Sequence, residues 1–191
     1  MFNKNKLKEK IEQAKNAYYN TDTPIMTDAE YDKLVEEYGN EPYVGAPVLE
    51  TIEKVAITDK PMLSLDKVHS ISEIQTFQGD KKLIASIKCD GLSVRLIYED
   101  GKLVNANTRG NGFIGGNIFN HAHYIQNIPQ TISKSGRFVI DGEVIIFLND
   151  FDENRFKNQR NAAAGALALL DMKEVQARKL SFIAWDIIVS E

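Results

Sequence analysis

The chain has 191 residues, 43% hydrophobic and 26% charged, with a formal net charge of −4. That composition is globular and excludes a disordered, collagen-like or low-complexity polypeptide. A single cysteine excludes an internal disulfide framework and a cysteine-rich zinc module within the chain, and the acidic balance argues against extensive DNA contact by this chain alone.

The start, MFNKNKLKEK, is charged and lacks a signal-peptide core. No apolar run approaches the roughly 18 residues of a membrane span. The expectation is a soluble, cytoplasmic chain with no membrane partner. Leu7, Ile11, Ala14 and Tyr18 recur at helical period and predict a helix over 5–20. Pro24 lies in a polar linker. Thr27-Asp28-Ala29-Glu30 is a capping box that opens a second helix, with Tyr31, Leu34, Val35 and Tyr38 as its apolar stripe and Gly39 as its stop. Residues 40–60 read as a linker, and Ser70 to Glu73 as another capping box. After residue 80 the pattern predicts strands over 83–88, 92–99 and 102–109, the last two joined at Asp100-Gly101. Four glycines make 110–120 a loop. A strand or bent strand pair follows over 138–147, then a helix over 161–170 interrupted by Gly165. A final buried strand over 180–189 must be paired and covered, and is expected either as an edge of this fold or with more protein beside it. The fold class is α+β, with a helical segment over 1–58 and an antiparallel-sheet domain over 59–191.

The first chemical candidate is Lys88-Cys89-Asp90-Gly91, where a predicted strand ends on a lysine and a glycine permits a tight turn. Taken alone, it is a strand-to-turn junction with a solvated lysine. It is followed in order by Thr108-Arg109-Gly110-Asn111-Gly112, Asp141-Gly142-Glu143-Val144 and Arg160-Asn161-Ala162-Ala163-Ala164-Gly165, and preceded by Pro61-Met62-Leu63-Ser64-Leu65. Glu143 stands in an otherwise apolar strand. There a buried carboxylate is costly unless paired, hydrogen-bonded or metal-bound, and the alternative is a solvent-facing position. Arg109 is a rigid fork suited to ribose or phosphate. Asp90 reads either as a turn-stabilising aspartate or as a partner of Lys88 or of a ribose.

This ordered set resembles the adenylation module of NAD-dependent DNA ligases. The resemblance covers essentially the whole chain, because Tyr18 and Asp28-Ala29-Glu30-Tyr31-Asp32 match that family's nicotinamide-mononucleotide-binding segment. It implies a helical hairpin followed by a nucleotidyltransferase domain of the DNA ligase and mRNA capping type. It makes Lys88 the nucleophile that becomes adenylylated, with Asp90 beside it. It places Ser64, Leu65, Ser86, Arg109 and Glu143 at the nucleotide, and Arg160 at a phosphate or the DNA backbone. Asp28, Tyr31 and Asp32 share one helix face, and two carboxylates beside a ring suit a cationic nicotinamide, with Tyr18 as a second ring. The implied cofactors are NAD and magnesium, and the implied substrate is nicked double-stranded DNA.

The match has departures. Ser86 stands where the family has a glutamate near adenine, Tyr19 replaces a histidine, Asn111 an aspartate, Asp141 an arginine and Ala168 a second arginine. The family's later lysine motifs, OB fold, zinc module, helix-hairpin-helix repeats and BRCT domain are not among these 191 residues. The domain is therefore expected to be C-terminally incomplete, a poor ligase alone, and one subunit of a split enzyme whose partner carries the missing motifs. The alternatives are a non-catalytic, ligase-derived nucleotide- or partner-binding protein, and another lysine nucleotidyltransferase, against which the helical start argues.

Overall fold

The computed structural model describes residues 2–20, 24–39, 48, 52–63, 65 and 67–190. The helical start is as the periodicity predicts. Helix α1 (Phe2–Asn20) buries Ile11, Ala14 and Ala17, and α2 (Asp28–Tyr38) packs beside it. The Thr27 hydroxyl accepts from the Glu30 amide at 3.3 Å while the Glu30 carboxylate accepts from the Thr27 amide at 2.8 Å, the reciprocal cap the sequence encodes. Gly39 ends α2 at φ +87°, a left-handed conformation that glycine adopts without strain. Helix α3 (Ile71–Gln78) is capped by Ser70, but Glu73 takes its 2.7 Å bond from the His69 amide, one residue earlier than a standard box.

A four-stranded antiparallel sheet organises the remainder, in the order β3 (Lys102–Thr108), β2 (Leu92–Glu99), β5 (Arg137–Ile145), β6 (Ser181–Ser190). Strands β2 (Leu92–Glu99) and β3 (Lys102–Thr108) form the predicted hairpin; Asp100 and Gly101 both have positive φ, 46° and 79°, as a tight two-residue turn requires. Strand β5 (Arg137–Ile145) is single and pairs along the whole of β2, and β6 (Ser181–Ser190) pairs with β5. Alternation then divides the residues. Val94, Leu96, Tyr98 and Val144 face the core with Ala162, Ala163, Ala166, Leu167 and Val175 of α5 (Gln159–Leu167) and α6 (Met172–Ala177). Ser93, Arg95, Asp141 and Glu143 are left on the opposite face.

Three expectations need correction. The strand predicted over 83–88 does not form: 82–90 is irregular, and Ile84 and Ile87 are 94% and 91% exposed. The outer edge of β6 carries no partner strand in the sheet, yet this run joins no ladder among the described residues, so β-type residues alone do not make it pair. The loop assigned to 110–120 contains β4 (Ile114–Gly116), which pairs with β1 (Lys54–Ala56), and leads into the short α4 (Phe119–Ala122). Gly115 makes that strand possible, because a Cβ there would lie 1.9 Å from the Thr108 carbonyl oxygen. The last strand stands at an edge of the sheet, one of the two alternatives, but it is buried only at its start: Trp185 and Ile187 are more than half exposed.

Candidate active site

The polar face of the sheet carries the candidate site at the end where β2 begins and β5 finishes. Ser93 and Glu143 are register partners there, and the Ser93 hydroxyl donates to the Glu143 carboxylate at 2.9 Å. Burial pushes the Glu143 carboxyl above its ordinary value. The Ser93 hydrogen bond opposes this, as do the positive charges of Arg160, Arg109 and Lys88, in that order. One half-buried carboxylate is thus faced by three cations from three separate parts of the chain.

Each cation is set by local structure. Arg109 leaves the end of β3 with its amide donating to the Ser93 carbonyl at 2.9 Å. The turn after it is closed by the Gly112 amide on the Arg109 carbonyl at 2.9 Å, and by Asn111, whose side-chain oxygen accepts from the Phe113 and Ile114 amides. Arg160 lies in the first turn of α5, which Asn158 caps by accepting from the Asn161 amide at 2.7 Å. Its guanidinium is 4.9 Å from the Tyr18 ring centroid and 3.6 Å from the Asp90 carboxylate. Lys88 is exposed at the end of the irregular segment, and Gly91 behind it is pressed against β5. The arrangement sets three cations, one of them an amine, about a carboxylate, with an aromatic ring from the helical hairpin at its margin. That can hold a polyphosphate next to a nucleophile.

Residues 51–191 match the NAD-dependent DNA ligase adenylation domain, and residues 3–40 match the DNA ligase-like N-terminal NAD+-binding domain. The chain belongs to the NAD-dependent DNA ligase family. A DNA ligase of Ruminiclostridium cellulolyticum is 35% identical over 210 aligned residues, covering 97% of this chain and 32% of that protein. A DNA ligase of Helicobacter pylori strain 26695 is 38% identical over 200 residues, covering 89% and 30%. One of Ehrlichia ruminantium is 35% identical over 215, covering 97% and 32%. The chain therefore spans about a third of the length of these ligases.

Against the ligase pattern, the structure brings together Lys88, Asp90, Arg109, Glu143, Arg160 and Tyr18. On α2, Asp32 is ion-paired with Lys67, at 2.6 and 2.9 Å to its two oxygens, and Tyr31, the residue before it, is half-buried. Leu65 is 79% exposed, and Ser86 is exposed within the irregular 82–90 segment. Ser64 and the side chains of Asp28 and Tyr19 lie outside the described residues. Asn111 is absorbed by the turn it builds. Asp141 is 2% exposed and paired with Arg95 across the strands, Nε to Oδ1 at 2.7 Å and Nη2 to Oδ2 at 2.8 Å.

Ser93 and Arg95 escaped the sequence reading. Their signal was there: serine and arginine at alternate positions of an apolar strand, matched by aspartate and glutamate at alternate positions of another. Among the described residues no group of three or more His, Cys, Asp or Glu gathers to hold a metal ion. Two cavities, about 280 Å³ beside Phe156 and Arg178 and about 460 Å³ between α1 and α2, are lined by none of the clustered residues.

Proposed function

We propose that the chain performs the self-adenylylation step of an NAD-dependent DNA ligase. The observation that carries the reading is the seat of Arg160 between the Asp90 carboxylate, two residues from Lys88, and the Tyr18 ring, with the charges of Lys88, Arg109 and Arg160 all acting on Glu143. Lys88 Nζ, as the free amine, attacks the adenylyl phosphorus of NAD. The new bond is N–P, the bond broken joins that phosphorus to the bridging pyrophosphate oxygen, and nicotinamide mononucleotide leaves with the electron pair. Arg109 and Arg160 neutralise the phosphates, Glu143 orients the cations and the nucleotide, and Asp90 holds Arg160 beside the nucleophile.

The donor set fits NAD at both ends. Cations gather where the pyrophosphate belongs, and Asp32, which already holds the Lys67 ammonium, presents a carboxylate for the nicotinamide cation together with Asp28, Tyr31 and Tyr18. Residues 1–58 then serve the nicotinamide half and 59–191, with Ser64, Leu65 and Ser86, the adenylyl half; β1 joins the two through its pairing with β4. Magnesium bound by the nucleotide phosphates would meet Glu143 and Asp90 as the nearby carboxylates, and its chemistry is charge neutralisation.

In the same proposal the AMP passes to the 5′-phosphate of a DNA nick and the adjacent 3′-hydroxyl displaces it, the reaction used in replication and repair. Sealing draws on lysine motifs and an OB fold outside these residues, with a second subunit as their carrier in our reading. Incubation with adenylate-labelled NAD, with and without a candidate partner, tests both parts. A phosphoramidate on Lys88 is expected from the chain with NAD. No adduct under either condition would leave a non-catalytic ligase-derived binding protein.

A further inference from the structure

Arg95 is the largest side chain among the described residues with less than 2% exposure, and nothing in the chemistry above uses it. All three donor groups of its fork are engaged. Nε and Nη2 hold the Asp141 carboxylate, and Nη1 donates to the Lys60 carbonyl at 2.7 Å. Stability alone is a poor reason for such a pair, because well-packed apolar residues in place of a buried ion pair are often as stable or more so. The third contact leaves the sheet. Lys60 lies in the strap that runs from β1 over the polar face to Met62.

The strap rests directly on the loop that carries Arg109. The Ile57 amide donates to the Phe113 carbonyl at 2.8 Å, and the Met62 amide to the Gly112 carbonyl at 3.0 Å. A Cβ on Gly112 would lie only 3.2 Å from the Met62 carbonyl oxygen. The Gly112 amide in turn closes the turn on the Arg109 carbonyl. Arg95 and Asp141 also stand one alternation from Ser93 and Glu143 on the same face of the same two strands. A rigid fork fixed in the sheet thereby sets the height of the strap, and the strap sets the turn after Arg109.

We propose that Arg95 and Asp141 form a positioning pair that holds Arg109 in register with Glu143 through the Lys60 carbonyl and the strap. The assignment of a task to Arg109 rests on the self-adenylylation reading; the mechanical link from Arg95 to the Arg109 turn does not. The departure at 141 then has a cause. The aspartate serves to lock the arginine at 95, and only a guanidinium reaches carboxylate and carbonyl together.

The test uses Arg95→Lys, which keeps the charge but not the fork, and the double change Arg95→Met with Asp141→Leu, which removes the pair without leaving a buried charge. Both lose the tether. Loss of one charge-assisted hydrogen bond is expected to raise the NAD concentration for half-maximal adduct formation about tenfold in each, with the maximal rate within about twofold. In an Arg109→Ala background the Arg95→Lys change should add less than about twofold, because coupled residues are not additive. Hydrogen exchange of the Met62 and Gly112 amides should quicken by about tenfold while the Val94 and Leu96 amides keep their protection.

Additive effects of Arg95→Lys and Arg109→Ala would overturn the proposal, as would unchanged exchange at Met62 and Gly112. Exchange faster throughout β2 and β5 would reduce the pair to a structural role. If the parent chain forms no adduct, the self-adenylylation reading falls while the exchange measurement still decides the tether.

Discussion

Gly91→Ala separates the geometry of the Lys88 turn from its chemistry. Gly91 is buried, and its φ is not in the left-handed region, so alanine can adopt the backbone conformation. The obstacle is steric. A Cβ at this position would sit 2.2 Å from the Val144 carbonyl oxygen, 2.8 Å from Ile145 Cγ2 and 3.0 Å from the Val144 carbonyl carbon. The closest of these atoms belongs to the backbone of β5, paired along its length with β2 and β6, so the turn must yield. Restoring ordinary contact moves it by about 1 Å. Overpacking of this kind costs about 1–3 kcal/mol. At about 2–4 °C per kcal/mol for a chain of this size, the melting temperature should fall by roughly 2–12 °C. The chemical effect should be larger. The same shift carries Lys88 and Asp90 away from Glu143 and Arg160, and a displacement of about 1 Å can cost on the order of 100-fold in rate. The assay is the single-turnover rate of adduct formation from NAD, followed by intact mass well below the melting transition. Gly165→Ala is the control: nothing lies within 4 Å of its added Cβ, and alanine in the helix should raise stability by up to about 1 kcal/mol. A Gly91→Ala chain that melts and reacts like its parent would refute the claim that the turn is seated on β5.

Lys88→Arg keeps the positive charge but offers no free lone pair at neutral pH, so it should abolish the covalent adduct while leaving circular dichroism unchanged; an adduct mapped to another lysine would overturn the assignment. Glu143→Gln should stabilise the fold at neutral pH. Burial raises the folded-state pKa above the ordinary 4.5, so the folded chain binds the extra proton and loses that stabilisation as pH rises through the raised value. The gain over the parent in melting temperature should therefore shrink as pH falls from neutrality through the raised value toward 4.5 and stay level below it, and a gain that grows on acidification contradicts the burial argument. Asp32→Ala removes an exposed ion pair with Lys67, for which a change of only about 0–1 kcal/mol is expected. It should nevertheless raise the NAD required for adduct formation, and adduct formation from ATP alone would refute the cofactor assignment.

Elements whose signals are local were legible in the sequence. The Thr27 and Gly39 caps of α2, the Asp100-Gly101 hairpin and the alternation of β2 each depend on residues a few positions apart, and each stands where the pattern puts it. What failed depends on partners. The 83–88 run has strand residues and joins no ladder among the described residues, while 114–116 has two glycines and becomes a strand because β1 lies beside it. A β-residue pattern describes a willingness to pair, and the choice of partner is made by the whole chain.

The site followed the same division. Lys88, Asp90, Arg109, Glu143 and Arg160 stood out through short motifs, because each motif is a local device that presents one side chain. Their meeting is a matter of register. Only the pairing of β2 with β5 sets Ser93 opposite Glu143, and only that pairing sets Arg95 opposite Asp141. In the linear sequence Asp141 reads only as a replacement for the arginine that the resemblance implies. In the sheet the cation stands one strand away, two hydrogen bonds join the pair, and a third ties the arginine to Lys60. Change at one position of a buried cross-strand pair acquires its meaning from the residue opposite, and that residue lies 46 positions earlier in the chain.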